Sequence, residues 1–571
     1  MRWSSKPKPD PLTVAHLCDA LGIETPIAAL LAQRGINSFD SAKRFFRPDL
    51  KDLHDPFLMK DMELAVPRIL RAIQDRENIL VYGDYDVDGT TSVAMMTTFL
   101  KNRGANVASY IPDRYNEGYG ISVKGIDFAS DNDVGLIIAL DCGIKAVDKI
   151  DYAREKGIDF IICDHHRPGE ILPRAVAVLD PKRKDCSYPY KELCGCGVGF
   201  KLLQALTQAR EEAFETLLPY LDLVATAVGA DIVPVTGENR ILAFHGLRLI
   251  NVSPRPGLKA ILELSGRKEV SMTEVNFVIA PRINAAGRMK HGLHAVDLLM
   301  EENEQKAFSI AREVEAFNLA RREADRTITE EALAQIEELQ EQDRLTTVVY
   351  REDWHKGVIG IVASRLTETY YRPTLVFTRS GEKLAASARS VKGFDVYDAL
   401  ESCKDHIEQF GGHKYAAGLT LVREKYHDFK RKFEEIVAST IDRNLLTAEL
   451  QIDLEIEPED ITPKFYRILK QFEPFGPGNA APLFLSRRLR GEGRVIGKSG
   501  KHLRCVLRKN DRSLPPAVGF SLGKKLELLD RSQFLQAVYS VEMNQFRGIS
   551  SLQLKLKDLR EEIQILESLD H

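Results

Sequence analysis

Three short apolar segments, each running into an acidic residue, constrain this chain more than any other feature. The segments are 79–83, 136–140 and 158–163, and the acids that follow them are Asp84, Asp141 and Asp164. Segments so short and so apolar are typical of strands buried on both faces of a parallel sheet. Predicted helices at 91–103 and 145–156 alternate with them, and residues 107–112 and 175–181 resemble further strands. Alternating strands and helices predict a doubly wound α/β domain.

The polar residues after these strands predict a metal site. Ligands of an open parallel sheet bind in the crevice at the carboxyl ends of its strands. The residues aimed at that crevice are Asp84, Asp86, Asp88, Asp141, Asp164, His165 and His166. Several carboxylates cannot crowd together unless a positive charge neutralises them. Two divalent cations would do so, and two-metal sites carry out phosphoryl chemistry.

The acids of residues 84–88 alternate along what we expect to be an extended segment, so Asp86 and Asp88 would reach the same metal. Gly89 permits a tight turn, and Thr90 or Thr91 is expected to cap the following helix. The alternative for any single acid is a helix N-cap without further function.

The two adjacent histidines point in different directions, so we expect them to do different jobs. One can ligate a metal through a neutral nitrogen, and the other can bind a phosphate or act as an acid. Asp164 can orient an imidazole. Asp231 follows an apolar helix, an ordinary place for an aspartate, and is a candidate ligand only in combination with the others.

Length and composition place the chain among globular proteins with several domains. At 571 residues it is too long for one core. The eight cysteines are scattered, which indicates a reducing cytoplasm rather than a disulfide framework. Cys186, Cys194 and Cys196 lack the paired spacing of a zinc site and predict a loop beside the active site. We expect no signal peptide and no membrane span.

The domain organisation follows from shifts in composition. No Gly or Pro occurs between Gly292 and Gly357, and no apolar heptad is sustained there, so we expect a long helix bridging two domains rather than a coiled coil. The predicted divisions are a helical segment at 1–50, a catalytic domain at 51–300, the connecting helix at 301–345, a second α/β domain at 346–445 and a small β-barrel at 446–571.

A basic stripe lies in the last of these domains. The net charge is -4, but residues 487–509 contain nine Lys or Arg against one acid, Glu492. A stripe of this density is either a footprint for a phosphate backbone or a solvated strand face, and charge alone does not decide between the two.

Four motifs together carry a family resemblance. Residues 83–89, 140–143, 164–166 and 230–234 resemble the four motifs of the DHH phosphoesterase superfamily, in the spelling of its RecJ branch. Residues 111–120 and 280–289 are similar to that branch as well. Residues 354–365, 387–390 and 410–418 resemble its DHH-associated domain, and the tail with residues 475–479 resembles its oligonucleotide-binding barrel.

The resemblance implies a DHH-type doubly wound parallel sheet, joined by a long helix to a DHH-associated α/β domain, plus a C-terminal OB-type β-barrel. It implies a metal-dependent exonuclease that degrades single-stranded DNA 5′→3′ to mononucleotides in recombination and repair. A single-strand-binding protein and a RecQ-type helicase are the implied partners, and a cytoplasmic monomer with no membrane association is expected.

The expected active site combines the motif residues. We expect Asp86, Asp88, Asp141, His165 and Asp231 to ligate two Mn²⁺ or Mg²⁺ ions, with Asp84 close by, Asp164 as an orienting group and His166 on the scissile phosphate. The residues expected to bind nucleic acid are Arg114, Arg282, Asn284, Arg288, His355, Arg365, Ser387, Arg389, Gly411, Gly412, His413, Arg487, Arg488 and Arg504.

Two other functions remain open at this point. A phosphodiesterase of the same superfamily that acts on short oligonucleotides or small phosphoesters would share the catalytic half but would need no barrel. A non-catalytic replication scaffold that binds single strands would share the fold. The intact acids and histidines argue against the scaffold, and the basic stripe argues against the small-substrate enzyme.

Overall fold

The computed structural model describes residues 1–498, 500–546 and 548–562. Its strands are β1 Arg2–Ser5, β2 Asn78–Gly83, β3 Asn106–Tyr110, β4 Val134–Leu140, β5 Asp159–Cys163, β6 Ala177–Leu179, β7 Thr347–Tyr350, β8 Thr374–Ser380, β9 Lys383–Arg389, β10 Gln409–His413, β11 Ala416–Val422, β12 Glu449–Ile452, β13 Leu454–Glu455, β14 Phe484–Ile496, β15 His502–Lys509, β16 Arg512–Ser513, β17 Ala517–Gly519, β18 Leu535–Phe546 and β19 Ile549–Glu561.

Its α-helices are α1 Pro11–Leu21, α2 Thr25–Ala32, α3 Phe39–Phe46, α4 Met62–Gln74, α5 Val87–Lys101, α6 Val123–Asp131, α7 Val147–Glu155, α8 Gly195–Ala209, α9 Leu221–Ala230, α10 Gly237–Val252, α11 Pro256–Ser265, α12 Met272–Glu274, α13 Ala280–Met289, α14 Leu293–Met300, α15 Glu304–Glu338, α16 Ile359–Tyr370, α17 Val396–Glu401, α18 Tyr426–Thr440, α19 Pro463–Lys470 and α20 Leu526–Arg531. A π-helical turn, Val275–Ile279, precedes α13. These elements form two compact units, one of residues 54–233 and 245–448, the other of residues 1–53, 234–244 and the described residues from Glu449 onward.

The first unit contains the predicted doubly wound sheet. Its five strands are all parallel and lie in the order β3-β2-β4-β5-β6. The chain order reverses between β2 and β4, which is the switch point where open α/β sheets bind ligands. The strands β2, β4 and β5 are buried along almost their whole length, as the apolar segments predicted.

The helix α5 packs very closely on the end of β2. A Cβ atom added at Gly89 would lie 2.4 Å from the backbone oxygen of Asp84, and one added at Gly83 would lie 2.5 Å from a side-chain carbon of Val93. Glycine at both positions therefore lets the helix begin immediately beside the strand that it follows. This close approach brings the acids of residues 84–88 into the crevice.

The predicted long helix is confirmed as α15, which is 35 residues long. Asn303 caps its N-terminus by accepting a hydrogen bond from the amide of Lys306. Its buried residues recur at spacings of three, four or seven positions, as expected for a helix with one packed face. Towards its C-terminal end, Ile328, Ala332 and Ile336 join a core with Val349, Val362 and Leu366 of the second α/β domain.

That second domain is built on a mixed sheet. Its strand order is β10-β11-β9-β8-β7, and only the β7–β8 pair is parallel. Phe377, Phe429 and Phe433 lie fully buried in its core. The strand β10 is at the edge of the sheet, and its residues Gly411, Gly412 and His413 are exposed.

The other unit contains the predicted barrel. The strands β14-β18-β19-β17-β15 pair in that order, and the pairing of β14 with β15 closes the barrel. The N-terminal strand β1 pairs in parallel with β12, so the first residues of the chain fold with the last domain. Trp3 donates from its indole nitrogen to the carboxylate of Asp558, at 3.0 Å.

Arg240 ties three chain segments of this unit together. Its guanidinium donates to the carbonyl oxygens of Phe45, Phe472 and Glu473 at 3.0–3.1, 2.9 and 3.0 Å and lies over the Phe45 ring at 3.9 Å. Its side chain is almost fully buried. A guanidinium has five N–H donors in a rigid fork, which explains how one side chain can satisfy several buried carbonyls.

Among the described residues, no single helix is long and apolar enough to cross a membrane. The pair α1 and α2, bent by 118° relative to each other, passes the test of length and composition only when taken together. Leu17, Ile27 and Leu30 of this pair lie fully buried in the core of their unit.

Candidate metal centre

The strand register of the parallel sheet aligns four carboxylates along one edge. Gly83 pairs with Leu140, Leu140 with Cys163, and Cys163 with Leu179. The residues that follow these strand ends are Asp84, Asp141, Asp164 and Asp180. Three of the four were predicted from the apolar segments. Asp180 was missed, because the predicted strand at 175–181 runs past it, whereas β6 ends at Leu179.

The acids of residues 84–88 differ from the expected extended segment. The helix α5 begins at Val87, and Asp86 is its N-cap, accepting from the amide of Gly89 at 3.0 Å. Asp88 is therefore in the first helical turn rather than on a strand, and the expectation that Thr90 or Thr91 caps the helix is wrong. Both threonines lie within the helix and donate to backbone carbonyls of the preceding turn. An aspartate is among the best N-caps, so the helix starts at the earliest one that can reach an amide.

The N-terminus of α8 holds the carboxylate of Asp88. Its two oxygens accept hydrogen bonds from the amides of Gly195 and Cys196 at 2.6 and 2.7 Å. The free N–H groups and the dipole of a helix N-terminus favour a negative charge at this place. A Cβ atom at Gly195 would lie 2.6 Å from the Cβ atom of Asp141, so a residue with a side chain does not fit. The cysteine spacing predicts a loop here, whereas the segment is the N-terminus of the apolar helix α8, with Cys194 as its N-cap.

His165 is the centre of the site. Its Nε2 atom lies 3.1 Å from Asp141 Oδ1, 3.6 Å from Asp231 Oδ2 and 3.8 Å from Asp88 Oδ2. Within the described residues these side chains form two groups that could each hold a metal ion. One group is Asp141, His165 and His166, and the other is Asp88, His165 and Asp231. Asp86 is in neither group.

Asp164 is fully occupied in holding the two histidines. It accepts from the backbone amides of Ile144, His165 and His166 and from Nδ1 of the His166 ring, the last at 2.8 Å. Burial opposes its ionisation, but these bonds and the His166 charge hold its pKa below the usual range. Burial likewise opposes the charge on His166, but Asp164 outweighs it and raises the pKa of His166 to about 9.

The two histidines are therefore in opposite protonation states. Burial, together with the charge on His166, lowers the pKa of His165 to about 3. A neutral imidazole has a lone pair available for a metal, whereas a protonated one can only donate. The ring nitrogen Nε2 of His166 lies 3.4 Å from the hydroxyl of Tyr119.

The carboxylates of the site are destabilised in their charged form. Burial, followed by the charges of neighbouring acids, raises the pKa of Asp88 to about 7 and that of Asp231 to about 8. The same two causes raise the pKa values of Asp84 and Asp141 well above the usual range of an aspartate. Among the residues that the structure describes, both oxygens of Asp84, Oδ1 of Asp141 and both ring nitrogens of His165 are buried and have no partner in hydrogen-bond geometry, although His165 Nε2 and Asp141 Oδ1 are close. Buried polar atoms without partners are rare, and oxygen with imidazole ligands suits Mn²⁺ or Mg²⁺. These residues therefore fit a divalent metal.

The backbone around the site is strained at two positions. Asp141 has a φ of 60°, and Ile232, next to Asp231, has a φ of 59°. Asp231 itself is the C-cap of α9, at the end of an apolar helix as expected. Such left-handed conformations are unfavourable for residues other than glycine, and they cluster at functional sites.

We expect Mn²⁺ to stabilise the protein more at pH 8 than at pH 6. In the metal-free protein, the raised pKa values of Asp88 and Asp231 mean that stability is highest when these groups are protonated and falls as the pH rises towards 8. A bound cation removes this penalty, and at pH 6 it must first displace protons, which weakens binding by up to about tenfold per pH unit for each proton. Thermal unfolding of EDTA-treated protein with increasing Mn²⁺ at the two pH values measures the effect. An equal rise in Tm at both pH values would contradict it.

Three arginines of the expected nucleic-acid set lie near one another beside this site. Arg288 donates to the carbonyl of Gly357 at 2.9 Å, Arg389 donates to Ser387 Oγ at 3.0 Å, and Arg114 lies over the Tyr85 ring at 4.6 Å. Burial and then the charges of Arg114 and Arg389 lower the pKa of Arg288 to about 9. Within the part of the chain that the structure describes, none of the three forms an ion pair with a carboxylate, so an anion would be bound favourably between them.

Other residues of the expected set are already engaged. Arg365 forms a bidentate ion pair with Asp325 at 2.7 and 2.8 Å, and Arg282 pairs with Glu315. Asn284 is half-buried on α13. His355 lies against Tyr115, with ring centroids 6.2 Å apart. Burial, followed by the charges of Arg389 and His166, lowers the pKa of His413. The effect of these two charges shows that His413, an exposed residue of β10, is within electrostatic reach of the site.

The basic stripe of the barrel is only partly neutralised. Arg487 pairs with Glu455 at 3.0 Å, Arg508 pairs with Glu492 at 2.8 Å, and Lys509 pairs with Glu457. In contrast, Arg494 and Arg504 lie directly opposite each other on β14 and β15. Like charges in such a pair are destabilising unless an anion lies between them. Arg488 has a left-handed backbone conformation, with a φ of 54°, and lies where the pairing of β14 with β18 shifts register.

Comparisons with known proteins agree with this arrangement. The chain matches the DHH family N-terminal domain at residues 78–228, the DHHA1 domain at residues 343–439 and the RecJ OB domain at residues 452–558. These matches and the strand orders above confirm the expected fold class.

Relatives and solved structures match nearly the whole chain. It is 37% identical to the single-stranded-DNA-specific exonuclease RecJ of Bacillus subtilis, over 98% of this chain and 70% of that protein. It is 33% identical to RecJ of Escherichia coli, over 93% of this chain and 95% of that one. The crystal structure of RecJ from Thermus thermophilus in complex with Mn²⁺ has a TM-score of 0.85 at 28% identity, covering 98% of this chain and 80% of that one, and a Mg²⁺ complex of the same protein is also similar. Four aligned strand ends, a histidine shared by two ligand groups and these matches together show that the chain belongs to the RecJ family of the DHH phosphoesterases.

Proposed function

We propose that this protein is a metal-dependent exonuclease that degrades single-stranded DNA from the 5′ end to 5′-mononucleotides. The observation that carries the proposal is the cluster of Asp88, Asp141 and Asp231 around Nε2 of His165, at the switch point of the parallel sheet. The names of the relatives, which are single-stranded-DNA-specific exonucleases, support the substrate. All the acids of the four motifs are present, and Asp84, Asp88 and Asp141 are buried, which argues against a scaffold that has lost catalysis.

Two divalent ions, when bound, would activate a water molecule and neutralise the scissile phosphate. Asp88, Asp141, His165 and Asp231 are the groups that we propose as their ligands, with Asp86 reaching the site from the helix N-cap. His165 is suited to this role because it is neutral. The carboxylate of Asp84 is buried and has no hydrogen-bond partner within the described part of the chain, so we propose that it holds a water molecule of the site.

His166 has a different role in this proposal. Asp164 holds its ring through Nδ1 and keeps it protonated at neutral pH. The proton on Nε2 is then available to a non-bridging oxygen of the scissile phosphate. A fixed cationic donor of this kind stabilises charge that develops on the phosphate in the transition state.

The arginines beside the site would bind a neighbouring phosphate of the strand. Arg114, Arg288 and Arg389 carry three positive charges, and the hydroxyl of Ser387 lies with them. Guanidinium groups bind phosphate through two parallel hydrogen bonds. The arginines would hold one phosphate of the strand while the adjacent phosphate lies at the metals. The terminal nucleotide would then be in position for release. The exposed glycines at 411 and 412 lie on the edge strand β10, and because they carry no side chain a nucleic-acid backbone can approach closely there.

The barrel would supply further contacts to the phosphates of the strand. Replacing Arg504 by alanine is expected to weaken single-strand binding and to reduce the slope of log affinity against log salt by about 0.7, the value for one phosphate contact on a single strand. Arg487→Ala is the matched control, because Arg487 is already paired with Glu455 and should change binding little. Fluorescence anisotropy at several salt concentrations measures both. Equal effects of the two substitutions would argue against Arg504 as a phosphate contact.

The test of the function is a single assay. An oligonucleotide labelled at either end, single-stranded or annealed, is incubated with Mn²⁺ or EDTA. Mononucleotides released from the 5′ end of the single strand, and their absence with EDTA, would support the proposal and its polarity. Cleavage of only the shortest fragments would favour a small-substrate phosphodiesterase, and tight binding without cleavage would favour a scaffold.

The remaining expectations rest on the family alone. We propose that the protein acts in the cytoplasm in DNA recombination and repair, as a monomer, with a single-strand-binding protein and a RecQ-type helicase as partners. We retain the five domain divisions from the sequence as proposed boundaries. Limited proteolysis with mass spectrometry would test those boundaries, and size-exclusion chromatography with light scattering would test the oligomeric state.

A further inference from the structure

Ile232 has a backbone conformation that is unfavourable for its side chain. Its φ is 59°, in the left-handed region. Among the residues that the structure describes, it is the only β-branched residue with a positive φ. A left-handed conformation is unfavourable for residues with a Cβ atom, and a branched Cβ is among the most crowded.

The turn at Ile232 explains the conformation but not the choice of residue. The helix α9 ends at Ala230, Asp231 is its C-cap, and the amide of Ile232 donates to the carbonyl of Gly229 at 3.3 Å. A left-handed residue at this position is a common way to end a helix, and glycine or asparagine fills it with the least strain. Isoleucine is therefore not required for the turn.

Burial does not explain the choice either. Ile232 is 66% exposed, whereas Val233 and Val235, which follow it, are 8% and 1% exposed. A large apolar side chain that is both strained and exposed gains little from folding. Contact with a molecule outside the chain would account for a side chain that neither the turn nor the core requires.

Ile232 is adjacent in the chain to a residue of the candidate metal centre. Asp231 directly precedes it, and Asp231 Oδ2 lies 3.6 Å from Nε2 of His165 in the candidate metal centre. A nucleic-acid strand that reaches this centre presents a phosphate to the polar groups. The carbons of the attached sugar and the face of the base then meet whatever apolar side chain lies beside them.

We infer that Ile232 is a substrate-contacting residue whose side chain packs against the nucleoside attached to the phosphate at the metal centre. The inference rests on the proposed nuclease function and adds a determinant of substrate affinity to it. The strain in the turn is retained because the exposed side chain contributes to substrate binding. Relief of the strain should therefore increase stability and weaken binding together.

The test compares Ile232→Gly and Ile232→Asn with Ile232→Val. Glycine and asparagine tolerate the left-handed turn, and valine keeps the branched Cβ and most of the apolar surface. For the first two variants we expect an unchanged or higher Tm, an unchanged rise in Tm with Mn²⁺, and a KM for single-stranded DNA raised by about tenfold, the equivalent of losing one partly buried apolar side chain. The valine variant should stay within about twofold of the wild type.

Each other outcome has a distinct meaning. An unchanged KM in the glycine and asparagine variants overturns the inference while the nuclease proposal stands. A lower Tm together with loss of the Mn²⁺ effect also overturns it, because Ile232 would then be needed for the turn. A wild-type protein that binds Mn²⁺ but degrades no single-stranded DNA refutes the proposed function itself, and the inference with it.

Discussion

Replacing His165 by alanine is expected to lower the turnover of single-stranded DNA by at least about a thousandfold, the scale of loss when a central catalytic group is removed. His165 is the one side chain common to both ligand groups, and its Nε2 atom lies within 3.1–3.8 Å of three carboxylates. Its loss would weaken both metal positions at once. The affinity for the DNA strand should change only a fewfold. The substitution leaves the barrel unchanged, and it also leaves the three arginines of the site unchanged.

The measurement needs three readouts and one control. Single-turnover cleavage gives the loss of activity, the rise in Tm with Mn²⁺ gives metal binding, and anisotropy gives strand binding. His427→Ala is the control, since His427 is an exposed histidine on α18. A His165→Ala variant that retains a tenth of the wild-type turnover would disprove the assignment of His165 as a shared ligand.

Replacing Gly195 by alanine is expected to raise the Mn²⁺ concentration for half-maximal activity by about 10- to 100-fold, the usual loss when a group that orients metal ligands is disturbed. The new Cβ atom would lie 2.6 Å from the Cβ and 2.8 Å from the Cα of Asp141, so the Asp141 backbone would have to shift. The same residue donates its amide to Asp88. One methyl group would therefore displace carboxylates from both ligand groups.

Gly197→Ala on the same helix is the matched control. A Cβ atom there would approach only side-chain atoms of Leu193 and Cys194, at 3.3 Å and beyond, and alanine within a helix is favoured over glycine by about 1 kcal/mol. We expect this variant to keep its dependence on Mn²⁺ and its Tm. If Gly195→Ala behaved in the same way, Gly195 would have no part in positioning the acids.

Most of the fold was predictable because its signals are local. The buried strands β2, β4 and β5 were recognisable from apolar runs, and α15 from a stretch without Gly or Pro. The short strand β6 was predicted, but the carboxylate after it was missed. The pairing of β1 with β12 had no local signal at all, because it joins residues about 450 positions apart.

The candidate site divides in the same way. Residues that stand at strand ends or beside each other, such as Asp141 and His165, were found from the sequence. The helix start at Val87 was not found, because it depends on close packing at Gly89. The amides of Gly195 and Cys196 were not found as donors to Asp88, because they belong to a helix more than a hundred residues away in the chain.

The sequence by itself determined the class of chemistry: strands that end in acids, two adjacent histidines and a basic stripe are properties of residue type and order. Only the tertiary structure decided which atoms share a metal, which histidine is charged and which arginines remain unpaired. The physical reason is that a pKa, an ion pair or a ligand distance depends on burial and on neighbours distant in sequence. His165 and His166 are adjacent in the chain, yet burial leaves one neutral while Asp164 keeps the other protonated.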